Sequence, residues 1–147
     1  MEFHDNAARR GEKLMPFELL NPSGLERPVG YAHIAKIEAG IVVHVAGQAP
    51  FDSQGRVVGK GDFVAQFAQV VRNLKTAIDA AGGEPGNYAV LTIYITDLQA
   101  YLKNKKPLGS VYKEVFGRHF PAITLVEVKS LYNPECLVEI SGVAVLG

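Results

Sequence analysis

The order of strand-like and helix-like patterns along this 147-residue chain predicts an α+β domain, β-β-α-β-α-β-β. One mixed sheet with two helices on one face follows from that order and from right-handed crossovers. Two observations carry the prediction. Runs rich in β-branched residues alternate in side-chain character, and between them lie two stretches whose apolar residues recur every three or four positions. A hydrophobic content of 48% in a chain this short suits one core and one domain.

The first regular runs are His33 to Glu38 and Ile41 to Ala46, read as a hairpin turning at Ala39-Gly40. In the second, Ile41, Val43 and Val45 share one side, while Val42, His44 and Ala46 share the other. Gly47-Gln48-Ala49-Pro50 ends the run, because proline cannot donate to a ladder, and Asp52-Ser53-Gln54-Gly55 is a turn. Asp62 is the N-cap of a helix carrying Phe63, Phe67, Val70, Val71, Leu74, Ile78 and Ala81, stopped by Gly82-Gly83 and Pro85. Gln66, Gln69, Arg72, Asn73, Lys75 and Asp79 read as its outer, polar positions. Ala89 to Thr96 alternates as a strand covered on both faces. A second helix spans Leu98 to Phe116, kinked or divided by Pro107. Ala122 to Val128 and Cys136 to Leu146 supply the last strands, joined by a loop around Tyr132-Asn133-Pro134. Residues 1–28, broken by Pro16, Pro22 and Pro28, read as an N-terminal extension, either with a short helix or edge strand near Phe17 to Leu20 or as a partly ordered tail; residues 29–147 form the domain. The sheet's second face keeps Val42, Val90, Tyr94 and Val143, an apolar surface that predicts self-association.

Composition excludes several classes. Lys+Arg 15 balances Asp+Glu 15, which gives no field for nucleic acid or an anionic membrane. Cys136 stands alone, so no internal disulfide forms, and a reducing, cytoplasmic setting is expected. Met1 is followed by Glu2, His4 and Asp5 without an apolar segment, so no secretory signal is read, and no apolar run reaches the ~20 residues that span a bilayer. No ligand spacing for a metal and no glycine-rich phosphate loop is present, so no cofactor is expected.

The candidate chemistry centres on Glu139, a carboxylate inside the otherwise apolar strand Leu137-Val138-Glu139-Ile140-Ser141. Such a group is either paired structurally or used as a general base. His33 and His44 lie on consecutive strands, where a hydrogen-bonded structural role competes with a ligand-facing one. Arg118 and His119 follow a helix end, where cations complement the helix dipole. Lys103, Lys105 and Lys106 read as a solvated helix face, and Cys136 has no neighbouring cation to make it nucleophilic.

Val45-Ala46-Gly47-Gln48-Ala49-Pro50, Val71-Arg72-Asn73-Leu74, Ala80-Ala81-Gly82-Gly83, Thr92 to Asp97, Pro121-Ala122 and Val138-Glu139-Ile140 together resemble the Rid family, the reactive intermediate deaminases or YjgF-type proteins. The likeness runs from about Tyr31 to the C-terminus, which would make residues 29–147 a Rid-like domain. It implies a chorismate-mutase-like fold, a homotrimer and intersubunit clefts that take small molecules. In deaminating members an arginine clamps the substrate carboxylate, a glutamate handles water, and a Ser-Gly-Gln turn completes the cleft. Carried over, Glu139 matches the glutamate, Gly47 the turn glycine and Tyr31 the cleft tyrosine. The chain departs from the pattern elsewhere. Ile123 replaces the arginine beside Thr124, Leu125 stands where cysteine is frequent, Ala46 replaces the turn serine, and Gly109 stands where an asparagine is common. An alkyl group at 123 removes bidentate carboxylate recognition there and makes the implied cleft more apolar.

Three functions follow from these readings. One is hydrolysis or tautomerisation of an imine, enamine or related small molecule by Glu139. Another is a non-catalytic trimer that binds a metabolite or docks to a protein. The third, action on RNA, is disfavoured by the balanced charge and the lack of an aromatic, basic strand surface.

Overall fold

A computed structural model describes residues 15–147. The first half of the expected N-terminal extension therefore lies outside the described residues. Two layers form the domain. A four-stranded sheet has the order β3-β6-β4-β5, from β3 (Ile41–Gln48), β4 (Tyr88–Ile95), β5 (Ala122–Glu127) and β6 (Val138–Leu146). Its helical layer comprises α1 (Phe63–Ala80), α2 (Leu98–Lys103) and α3 (Lys105–Phe116). β4 pairs with β5 in parallel, and β6 pairs antiparallel with both β3 and β4, so the sheet is mixed as expected.

The core lies between the layers. Val70, Leu74 and Ile78 of α1 are fully buried, as are Ile95 of β4 and Val138 of β6. Asp62 caps α1 by accepting the Ala65 N–H, which satisfies one of the first-turn donors. Tyr88 brings its hydroxyl to the Leu74 carbonyl at 2.7 Å, and its ring fills the space a side chain at Gly142 would occupy, since a Cβ there would lie 2.7 Å from the ring. Burial drives the Tyr88 and Tyr112 phenols upward, so both remain neutral donors.

The second helical segment breaks at Asn104, and the cause is Pro107 three residues on. Proline has no N–H for the carbonyl of residue 103, and its ring would collide with that carbonyl. Restarting the helix at Lys105 puts Pro107 in the first turn, where no intrahelical donor is needed.

The first two sheet runs differ from expectation. β2 (Ile34–Ile37) does not return on β3; it pairs antiparallel with β1 (Phe17–Leu20) in a separate two-stranded sheet. Gly40 accounts for this. With φ at 118° it directs the chain into β3 against the end of β6, where any Cβ would lie 2.5 Å from the Leu146 carbonyl oxygen. Of the alternatives for Phe17 to Leu20, the strand is the one formed.

His119 also departs from expectation. Its imidazole does not act at the helix end but is partly buried, 2.6 Å from the Tyr88 carbonyl, while its own carbonyl accepts from the Tyr112 hydroxyl at 2.6 Å. Desolvation holds this imidazole below the ordinary histidine range, against a smaller upward pull from the Tyr88 carbonyl. A histidine whose folded pKa is depressed binds fewer protons in the native than in the unfolded state. Its stabilisation is therefore complete above the unfolded value of about 6.5 and lost as pH falls toward the folded one. Urea titrations between about pH 8 and pH 5 should show an acid-side loss in the native protein that is smaller in His119→Gln.

Candidate functional site

α1 organises a cavity of about 920 Å³ at the edge of the sheet, within the size range of small-molecule sites. The helix positions read as outward-facing do not all face water. Gln66 is fully buried; its amide nitrogen donates to the Glu135 carbonyl at 2.9 Å and its oxygen accepts the Leu137 N–H at 2.7 Å. Asn73, partly buried, donates to the carbonyls of Ala49 at 3.1 Å and Phe51 at 3.0 Å. Gln69 donates to the Asn73 side-chain oxygen at 2.9 Å. One stripe of amides thus binds the start of β6 on one side and the chain after β3 on the other.

Between these walls Glu139 lies over Gly47. β3 bulges between Val45 and Gln48: three residue steps there oppose two on β6, from Gly142 to Ile140. A Cβ on Gly47 would sit 2.8 Å from Glu139 Cδ and 2.9 Å from its Oε1. Only glycine lets this side chain lie there undisturbed. Gly47 and Glu139 both line the cavity, with Gln48, Phe51, Asn73, Ala77, Ala80, Leu131, Tyr132 and Cys136 among their neighbours. Asp52 also lines it, but its carboxylate accepts the Arg56 Nε at 3.0 Å and the backbone N–H groups of Gln54 and Arg56. These bonds hold the Asp52 carboxyl below its usual range. Among the described residues, no cation pairs with Glu139. The buried Cys136 thiol is pushed up by desolvation first and by the charges of Glu139 and Glu135 second, which keeps it protonated.

The remaining sequence-selected residues lie elsewhere. Ala46 is exposed on the outer side of β3, and its carbonyl accepts from the Gln48 amide at 3.0 Å. Tyr31 stands beside the far edge of the sheet, where the Ala32 N–H donates to the Pro121 carbonyl at 2.9 Å and Ala32 bridges Ala122. The Tyr31 hydroxyl donates to Glu26 at 3.1 Å, and its ring meets that of His33 edge-on. Ile123 and Leu125 on β5 pack against the core opposite Leu91 and Ile93, whereas Thr124 is exposed on the other face. One chain therefore carries two groups of residues on opposite sides of the sheet. Gly47 and Glu139 stand at the β3–β6 side; Tyr31, Ile123, Thr124 and Leu125 stand at the β5 edge. His33 is occupied by the Glu26 carbonyl at 2.7 Å, and His44 is exposed on β3. Neither lines the cavity, nor do the exposed Lys103, Lys105, Lys106 and Arg118.

The amide stripe went unrecognised in the sequence. The available signal was phase: Gln66, Gln69 and Asn73 fall beside Phe67, Val70 and Leu74 on the helix, so they belong to its buried margin.

Comparison with known proteins agrees with this architecture. The family model described as endoribonuclease L-PSP matches residues 25–146. A RutC family protein of Pyrococcus horikoshii is 32% identical over 127 residues, 86% of this chain and 96% of the relative. The crystal structure of YyfB from Yersinia pestis, a Rid-family protein of unknown function, superposes with a TM-score of 0.81 at 30% identity, covering 90% of this chain and 100% of that one. The structure of E. coli TdcF with bound serine gives a TM-score of 0.62 at 26% identity, covering 92% of this chain and 100% of TdcF. The chain belongs to the Rid family, also called YjgF-type or L-PSP, in agreement with its α+β fold.

The Gly47–Glu139 contact is directly testable. The atoms that a new methyl would strike are the distal end of a flexible side chain, so Gly47→Ala should displace the carboxylate and leave the fold standing. The expected loss of stability is at the low end of the roughly 1–3 kcal/mol that overpacking costs, because the flexible side chain can move. A crystal structure of the variant should show Glu139 in another rotamer; an unmoved carboxylate would contradict this account.

Proposed function

We propose that this protein is an imine or enamine hydrolase acting on a small metabolite in a cleft shared by two copies of the chain. The observation that carries the reading is Glu139. Its carboxylate faces a ligand-sized cavity over a bare glycine and has no cation partner among the described residues. A carboxylate so placed takes a proton from water as the oxygen adds to the C=N carbon. It then returns the proton to nitrogen, and collapse of the carbinolamine expels ammonia and leaves a carbonyl. The bound serine in TdcF supports a molecule of metabolite size as the kind of ligand such a fold accepts.

The two separated residue groups support assembly. A second copy that sets its β5 edge against the β3–β6 side would bring Tyr31, Ile123, Thr124 and Leu125 toward Gly47 and Glu139. The exposed Val42 and Val126 on the outer sheet face supply apolar surface for that contact. Closure of such a heterologous contact gives a ring, and we propose a homotrimer. No helix among the described residues is long and apolar enough to cross a membrane, and the buried free Cys136 fits a reducing compartment, so we place the protein in the cytoplasm.

A specific observation favours a second reading, a non-catalytic metabolite-binding trimer. Ile123 packs against the core, and by the sequence resemblance it stands where deaminating relatives carry the arginine that clamps the substrate carboxylate.

Two measurements decide these points. Oxidase-generated imines, trapped competitively with semicarbazide, should be hydrolysed faster with the protein present, and Glu139→Gln should lose about 10²-fold or more of that rate. Equal rates for native protein and variant would remove Glu139 from the chemistry. In sedimentation velocity the native protein should run at three times 15.9 kDa, and Val42→Asp should shift it toward smaller species. A stable monomer in the native protein would end the shared-cleft proposal.

A further inference from the structure

The charge of the cavity bears on which imines it can take. Among the described residues, the two carboxylates lining it are Glu139 and Asp52, and no lysine, arginine or histidine joins them. Asp52 is neutralised by the Arg56 guanidinium and two backbone donors, which leaves Glu139 as the uncompensated charge. Around it the walls are apolar at Phe51, Ala77, Ala80 and Leu131. The β5-edge group that a second copy would contribute, Tyr31 with residues 123–125, contains no cation either.

From this, resting on the hydrolase reading above, we infer that the substrate is an apolar imine or iminium without a carboxylate, derived from an amine instead of an amino acid. A ligand carboxylate would meet Glu139 with no cation to offset the repulsion. A protonated imine nitrogen would instead complement Glu139, and its apolar substituent would cover the Phe51 and Leu131 walls. The step balances without a further reactant. An iminium and water give a carbonyl and ammonium; the C–O bond forms, the C–N bond breaks, and Glu139 passes both water protons in turn to nitrogen, the first as water adds and the second from the carbinolamine hydroxyl as the carbonyl forms. The same carboxylate thus selects the cation and activates the water.

The test uses a pair of substrates that differ only in the carboxylate. A flavin amine oxidase generates the imine of 3-methylbutylamine, and an amino-acid oxidase generates that of leucine. Semicarbazide trapping reads both rates, and calorimetry reads binding of 3-methylbutylamine and of 4-methyl-2-oxopentanoate. The amine-derived imine should be favoured in kcat/KM by about tenfold or more, and the amine should bind more tightly than the oxo acid. In Glu139→Gln the binding preference should collapse, because the charge is gone while the shape remains. Hydrolysis of the leucine-derived imine at an equal or higher rate would overturn the substrate class and leave the hydrolase standing. Amine-selective binding abolished in Glu139→Gln, without turnover of either imine, would support the ligand class while refuting the hydrolase. Tighter binding of the oxo acid, or binding of neither compound, would overturn the inference.

Discussion

The geometry of the site depends on three amides of α1. Gln66 closes two hydrogen bonds on the backbone at Glu135 and Leu137, and Asn73, held by Gln69, closes two more at Ala49 and Phe51. Leu137 lies two residues before Glu139, and Ala49 lies two residues after Gly47. The helix thus sets the separation of glycine and glutamate from both sides at once. Gln66 is wholly buried, so losing it would strand a carbonyl and an N–H, each at a cost of about 1–3 kcal/mol. A buried amide that bonds two backbone groups just ahead of β6 resists sliding of that strand, because a one-residue slip would turn every side chain to the other face. Glu139 therefore sits where it does because Val138 and Ile140 are fixed inward.

How far the sequence showed this can be judged from particular elements. The apolar phase of α1 and its Asp62 cap were legible because periodicity and capping are local properties, and the structure follows them to within a residue. The alternation in Ala89 to Thr96 was legible for the same reason. The pairing of β2 was not. A glycine between two β-rich runs is the usual hairpin signal, but Gly40 turns the chain against Leu146 from the opposite end of the sequence. Tertiary contact overrode the local rule. His119 was misplaced similarly: next to a helix end it looks like a dipole cation, while the Tyr88 carbonyl that holds it lies 31 residues away. In the site, Glu139 stood out as a charge in an apolar run. The amides did not, because glutamine and asparagine on a helix look like solvent-facing residues unless their phase is followed into the buried margin.

The isoleucine at 123 has a physical sense in its surroundings. Ile123 is paired with the buried Leu91 and packs against the core, and Leu125 behaves the same way opposite Ile93. An alkyl side chain there joins the core at little cost, whereas a guanidinium would have to reach past it to a ligand to stay solvated or paired. Ile123 and Leu125 thus give their side chains to packing, whereas Thr124 and Val126 stay exposed on the other face. Glu139 is under the opposite constraint. It denies any side chain to position 47 and, among the described residues, has no cation partner. A carboxylate held under those conditions by a glycine and a bulge is the feature on which the proposed hydrolase reading rests.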